Sequence, residues 1–182
     1  FGFHTPDDTS PTSVDLNWAA ATSDYGLQVY AVKSPGQYAE ITSPDYEVKD
    51  AYFVVENRAG DVLLQSDIYR NVYDNKRWNF SLSVRPKRYP FADGVTGSSV
   101  VLNGYELEFY GTNYDAGTKD NSFTLSSDID YLSGSSTVGL AKRIYTGAHR
   151  NNFTGTTLTS TDIKASSIRY WTDYISPTVA DL

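Results

Sequence analysis

Trp78-Asn79-Phe80-Ser81-Leu82-Ser83-Val84 is the stretch on which the reading of this chain turns. Large apolar side chains at 78, 80, 82 and 84 alternate with Asn79, Ser81 and Ser83. Successive side chains of an extended strand point to opposite faces, so one face here is apolar and the other polar. Such a strand belongs to a sheet with one side against a core and the other toward water.

The same signal recurs on both sides of it. Within Val100–Tyr110, Tyr105, Leu107 and Phe109 are expected inward and Glu106 and Glu108 outward, with Asn103-Gly104 marking a bulge or a tight hairpin. Leu27–Lys33 sets Leu27, Val29 and Ala31 against Gln28, Tyr30 and Val32. Ala51–Asn57 is a continuous apolar run, which predicts a central strand covered on both faces. Arg58-Ala59-Gly60-Asp61 then turns the chain into Val62–Ile68, a hairpin. Shorter strands are expected at Val14–Trp18, Tyr38–Thr42, Ser122–Ser126, Arg143–Gly147 and Ile163–Trp171. Asn71–Arg77, Pro86–Gly97, Thr112–Asn121 and Tyr131–Val138 read as turns, loops or polar excursions. Nowhere do apolar residues keep a helical spacing over three turns. The expected fold is all-β, a two-sheet antiparallel β-sandwich.

Composition agrees. Tyr supplies 15 of the aromatic residues, beside 8 Phe and 3 Trp, and Tyr and Thr suit a pleated, half-buried surface. At 182 residues the chain suits one domain with a sizeable core. Residues 1–13, with two prolines and adjacent aspartates, are expected to form a linker or N-terminal arm, and residues 14–182 a single sandwich domain. With Met 0, a chain starting at Phe1 is expected to be a processed or excised part of a longer polypeptide. Cys 0 removes disulfides, thiol nucleophiles and thiolate zinc sites. A net charge of −7 argues against a nucleic-acid surface, and no apolar run is long enough for a membrane span.

The C-terminal third carries a resemblance. Arg143-Ile144-Tyr145-Thr146-Gly147-Ala148, then Phe153-Thr154-Gly155, Ile168-Arg169-Tyr170-Trp171 and Tyr174-Ile175-Ser176 resemble the closing strands of laminin G-like, concanavalin A-like domains. Pro177 stands where that family usually begins a short terminal helix with an acidic residue. The resemblance implies a concanavalin A-like jelly roll of the lectin and glucanase superfamily, over residues 14–176. The Tyr-, Ser- and Thr-rich, Cys-free character is similar to modules of this fold in bacteriophage virion proteins. Members include lectins, glycan-cleaving enzymes and structural modules, among which fold alone does not choose.

Glu106 and Glu108 share one strand face, but glucanases of this class carry E-x-D-x-x-E, and here the run is Glu106-Leu107-Glu108-Phe109-Tyr110-Gly111. No enzyme is expected. His4 and His149 have no recognisable catalytic spacing, and no G-x-S-x-G elbow occurs. Family members often hold one calcium ion at a loop rim, and calcium takes six to eight oxygens; Asp115, Asp120, Asp128 and Asp130 are the candidate ligands. A sugar site would use aromatic faces, for which Tyr69, Tyr73, Tyr89, Phe91, Tyr110 and Tyr114 are the candidates. Arg85, Lys87 and Arg88 form a basic cluster that reads as a solvated loop.

The reading that follows is a non-enzymatic structural or adhesion module of a virion or extracellular assembly, oligomeric and packed against other proteins of that assembly. It predicts an apolar or aromatic patch on one outer face or in the N-terminal arm. The alternative is a calcium-assisted, lectin-like domain for cell-surface glycans.

Overall fold

Period-two alternation sets the elements of the computed structural model, which describes residues 1–5, 26–34, 48–87, 104–150, 157–160 and 164–180. Strands β1 (Gly2–His4), β2 (Gly26–Lys33), β3 (Ala51–Asn57) and β4 (Val62–Gln65) come first, followed by β5 (Trp78–Pro86), β6 (Tyr105–Asp115) and β7 (Thr118–Ile129). Helix α1 (Tyr131–Gly139) precedes the short strands β8 (Arg143–Tyr145), β9 (Ala148–Arg150) and β10 (Thr157–Ser160), and α2 (Pro177–Ala180) follows.

Two antiparallel sheets face one another. One has five strands in the order β4-β3-β2-β1-β8 and the other three, β5-β6-β7; β9 and β10 pair separately. Leu27, Val29, Phe53, Val55 and Leu64 from the first sheet meet Leu107 and Phe109 from the second in one buried cluster. Trp78, Phe80, Leu82 and Val84 pack against that cluster from β5, as their alternation predicts. This is the all-β sandwich expected from the sequence.

The core is aromatic at one end. Phe53 of β3 lies across the interface with its ring 4.8 Å from Trp78, 4.9 Å from Phe80 and 5.7 Å from Phe123. Room for these rings comes from Gly111, paired with Phe80 on one side and Phe123 on the other. A Cβ there would sit 2.4 Å from the Phe123 ring. The side chain missing from the central strand is replaced by its two aromatic neighbours.

Several expectations are corrected. Thr112–Asn121 is no excursion: β6 and β7 form one long hairpin closed by Ala116 and Gly117, with Asp115 paired to Thr118. Both turn residues have positive φ, 49° and 84°, the geometry whose twist matches that of the flanking strands. Tyr131–Val138 is helix, not loop. Asp130 caps α1 by accepting from the Ser133 amide at 2.9 Å, and Gly134 and Thr137 are its buried residues. Residues 164–171 form no strand; they are irregular and exposed.

Gly2–His4, within the segment expected to be an arm, is an internal strand of the five-stranded sheet between β2 and β8. Pro177, which departs from the acidic residue at that place in the family, begins the short helix α2. A first helical position suits proline, whose missing N–H would have no intrahelical partner there. The strands expected at Val14–Trp18 and Tyr38–Thr42 lie outside the described residues, as do residues 6–13.

Candidate functional site

The outer face of the three-stranded sheet gathers the charged residues of β5 and β6. Register pairs Arg85 with Glu106 and Ser83 with Glu108, which puts one guanidinium beside two carboxylates. Arg85 Nη2 lies 2.8 Å from Glu106 Oε2 and 3.9 Å from Glu108 Oε2. Tyr174, from the segment before α2, lies over Arg85, with its ring centroid 4.1 Å from the guanidinium carbon. Its hydroxyl donates to Glu108 Oε1 at 3.2 Å. Burial, followed by the charge of Glu108, pushes the Tyr174 phenol above its ordinary pKa, while Arg85 opposes the shift. The cluster fastens the C-terminal segment to the sheet. Both glutamates are occupied by the same cation, unlike a pair of carboxyl groups left open on either side of a glycosidic bond.

The four candidate aspartates are not brought together. Asp115 and Asp120 lie at the turn end of the β6–β7 hairpin, while Asp128, opposite Glu106, and Asp130 lie at the other end. Lys76 holds the first two, 2.6 Å from Asp120 and 4.0 Å from Asp115, and Asn113 Nδ2 donates to Asp120 at 3.3 Å. The Lys76 and Asn113 bonds hold the Asp120 carboxyl below its usual range. Asp128 pairs with Lys87, and Asp130 serves as the helix cap. No group of three or more His, Cys, Asp and Glu side chains is placed to hold a metal ion among the described residues. A calcium ion entering at Asp120 must first displace Lys76.

The candidate aromatics divide in a similar way. Tyr69 belongs to the core, 5.3 Å from Trp78 and 5.6 Å from Phe123, and its backbone pairs with Ala51. Tyr73 is exposed, with Lys33 Nζ 4.8 Å from its ring centroid. Tyr110 and Tyr114 share Lys119, whose Nζ donates to the Tyr110 hydroxyl at 3.1 Å and lies 6.0 Å from the Tyr114 ring centroid. Tyr110 is buried. Tyr89 and Phe91 lie outside the described residues, as does Arg88. His4 and His149 fall on β1 and β9.

A second surface is apolar, and the candidates chosen from sequence did not include it. Val138 and Leu140 at the end of α1, Ala141, Lys142, Ile144 of β8 and Tyr170 line a shallow depression of about 260 Å3. Ile144 is 46% exposed and Tyr170 60%, and Ile168 and Trp171, in the same segment as Tyr170, are 61% and 57% exposed. Lys142 lies along this wall, donating to the carbonyls of Val138 and Leu140, and burial pulls its ammonium below the ordinary lysine pKa. Ile168-Arg169-Tyr170-Trp171 was visible in the sequence as a candidate strand. Its alternation gave no sign that these side chains stay outside.

No family model matches the chain, and no curated protein or solved structure shows significant similarity to it.

Proposed function

We propose that this chain is a non-enzymatic structural and adhesion module, a concanavalin A-like jelly roll. It works in a virion or extracellular assembly by packing against other proteins of that assembly. The supporting observation is the exposed apolar lining of one depression, Val138, Ile144 and Tyr170, with Ile168 and Trp171 exposed in the same segment as Tyr170. Burying each of the larger side chains is worth about 1.5–3 kcal/mol, so a partner covering this surface gains enough to order it. The engagement of Glu106 and Glu108 by Arg85 favours a non-enzymatic role.

Electron cryo-microscopy of the particle that contains the chain tests this reading. The expected image has a neighbouring protein seated over residues 138–144 and 168–171. A particle in which that surface faces open solvent overturns the proposal. Glycan binding that requires calcium would then favour the lectin-like alternative.

A further inference from the structure

Lys142 differs from other lysines of the chain in what its nitrogen meets. Lys49, Lys76 and Lys87 each face a carboxylate, those of Asp74, Asp120 and Asp128 in turn. Lys119 donates to the Tyr110 hydroxyl, and Lys33 lies over the Tyr73 ring. Lys142 Nζ instead donates to the Val138 carbonyl at 3.0 Å and to the Leu140 carbonyl at 2.8 Å. The walls around it are Val138, Leu140, Ala141, Ile144 and Tyr170, which line the depression of about 260 Å3. Among the ionisable groups of these elements, α1 carries Tyr131, β8 carries Arg143 and Tyr145, and the third wall adds the Tyr170 phenol. None is a carboxylate, and Asp130 caps the opposite end of α1. Two N–H bonds serve the two carbonyls, and a neutral amine has two. Its lone pair then takes the third place, which an ammonium fills with a proton that none of the described residues accepts. Burial without a facing anion favours the neutral form.

We propose that Lys142 is a nucleophilic amine, a modification site that takes aldehydes with a small apolar or aromatic body. Its nitrogen attacks the carbonyl carbon, forming a C–N bond while the π pair of the carbonyl goes to oxygen. The oxygen then leaves as water with the two amine protons, and an imine remains. The apolar walls hold the body of the aldehyde beside the nitrogen. A cavity of about 150 Å3 is enough for benzene, so the depression has room for one aromatic ring. A neutral imine has no N–H left, so the reaction withdraws both hydrogen bonds from the end of α1. The inference goes beyond the packing role proposed above and does not depend on it, although a protein seated over the depression would close the site.

Reductive labelling of the folded chain is the test, with benzaldehyde or formaldehyde as the probe and sodium cyanoborohydride as the hydride donor. Peptide mass mapping gives the rate at each lysine. At neutral pH Lys142 should gain the benzyl group several-fold faster than Lys164, although Lys164 is exposed and Lys142 is half-buried. Its labelling should also begin at lower pH than that of Lys164. The preference for benzaldehyde over formaldehyde should be larger at Lys142 than at Lys164, and Ile144→Ser should reduce it. Lys142→Arg keeps donors for the α1 carbonyls and should abolish the fast adduct. Circular dichroism confirms that the variants are folded. Labelling of Lys142 no faster than that of Lys164 overturns the inference, since it marks an ordinary ammonium at a helix end. So does fast labelling with the same aldehyde preference at the two lysines, because the apolar walls then select nothing. Both comparisons are made within the unaltered chain, so they stand even if a variant fails to fold.

Discussion

Tyr145 Oη donates a 2.9 Å hydrogen bond to Gln28 Oε1 across Gly2, although 117 positions separate the two residues in sequence. Gly2 is paired with Gln28 on one side and Tyr145 on the other, so the tyrosine lies over the bare backbone of β1 to reach the glutamine. Gln28 is buried and needs such a partner.

Gly2→Ala is therefore expected to destabilise the fold. The new Cβ would fall 2.6 Å from Tyr145 Oη and 2.7 Å from the Leu27 carbonyl oxygen, and the latter is backbone that cannot swing away. A loss of about 1–3 kcal/mol in denaturant unfolding is expected, as for overpacked cores. Tyr145→Phe, which removes only the hydroxyl, should cost about 1 kcal/mol or somewhat more, because it leaves the Gln28 oxygen without that donor.

Phe53→Ala should lose about 3–5 kcal/mol, because the Phe53 ring touches Trp78, Phe80 and Phe123 across the sheets. Tyr69→Ala should also lower stability, as removal of a core ring does and removal of a solvent-facing ligand contact does not. Thermal and urea melts of both variants provide the measurement, and an unchanged Tyr69→Ala melt would place Tyr69 outside the core.

Acid should weaken the helix that follows β7. The bond from Ser133 holds the Asp130 carboxyl below its usual value of 3.8. Its folded pKa is thus below its unfolded one, so its contribution is complete above pH 3.8 and disappears as pH falls through the folded value. Asp130→Ala should cost about 1 kcal/mol at neutral pH, whereas Asp130→Asn keeps a cap and should flatten the acid limb of the stability curve.

At alkaline pH the expected sign reverses. Tyr30 donates to Glu56 Oε2 at 2.5 Å, and burial together with that carboxylate raises its phenol above the ordinary value of 10.0. Its contribution is present below pH 10.0 and disappears as pH rises toward the folded value. In a tyrosinate absorbance titration, Tyr30→Phe should remove a late-titrating fraction and reduce the loss of stability above pH 10.0.

The sequence revealed the strands that carry a marked apolar pattern, alternating or unbroken. Trp78–Val84 and Ala51–Asn57 fell where alternation and an unbroken apolar run put them. Other elements depend on partners that no local pattern names. β1 is three residues long and becomes a strand because β2 and β8 flank it. The polar end of the β6–β7 hairpin is secured by side chains, with Asn113 Oδ1 accepting from both the backbone and side-chain amides of Asn121. α1 has no apolar stripe, and its only local sign was an aspartate three residues before Ser133.

Among candidate site residues, residue type showed that Tyr69 and Asp120 could serve a ligand but not that Trp78 and Lys76 already occupy them. Arg85 was read only as part of a loop cluster, because its pairing with Glu106 emerges only when β5 and β6 are in register.

The place of β1 has a consequence for how the protein is made. β1, β2, β3 and β4 are consecutive both in the chain and in the sheet and can come together as a local meander. The last place, beside β1, is filled by residues 143–145, so β1 keeps one side open until the ribosome has passed Tyr145. Closing it requires a search across most of the polypeptide, and contacts so distant in sequence make for slow folding.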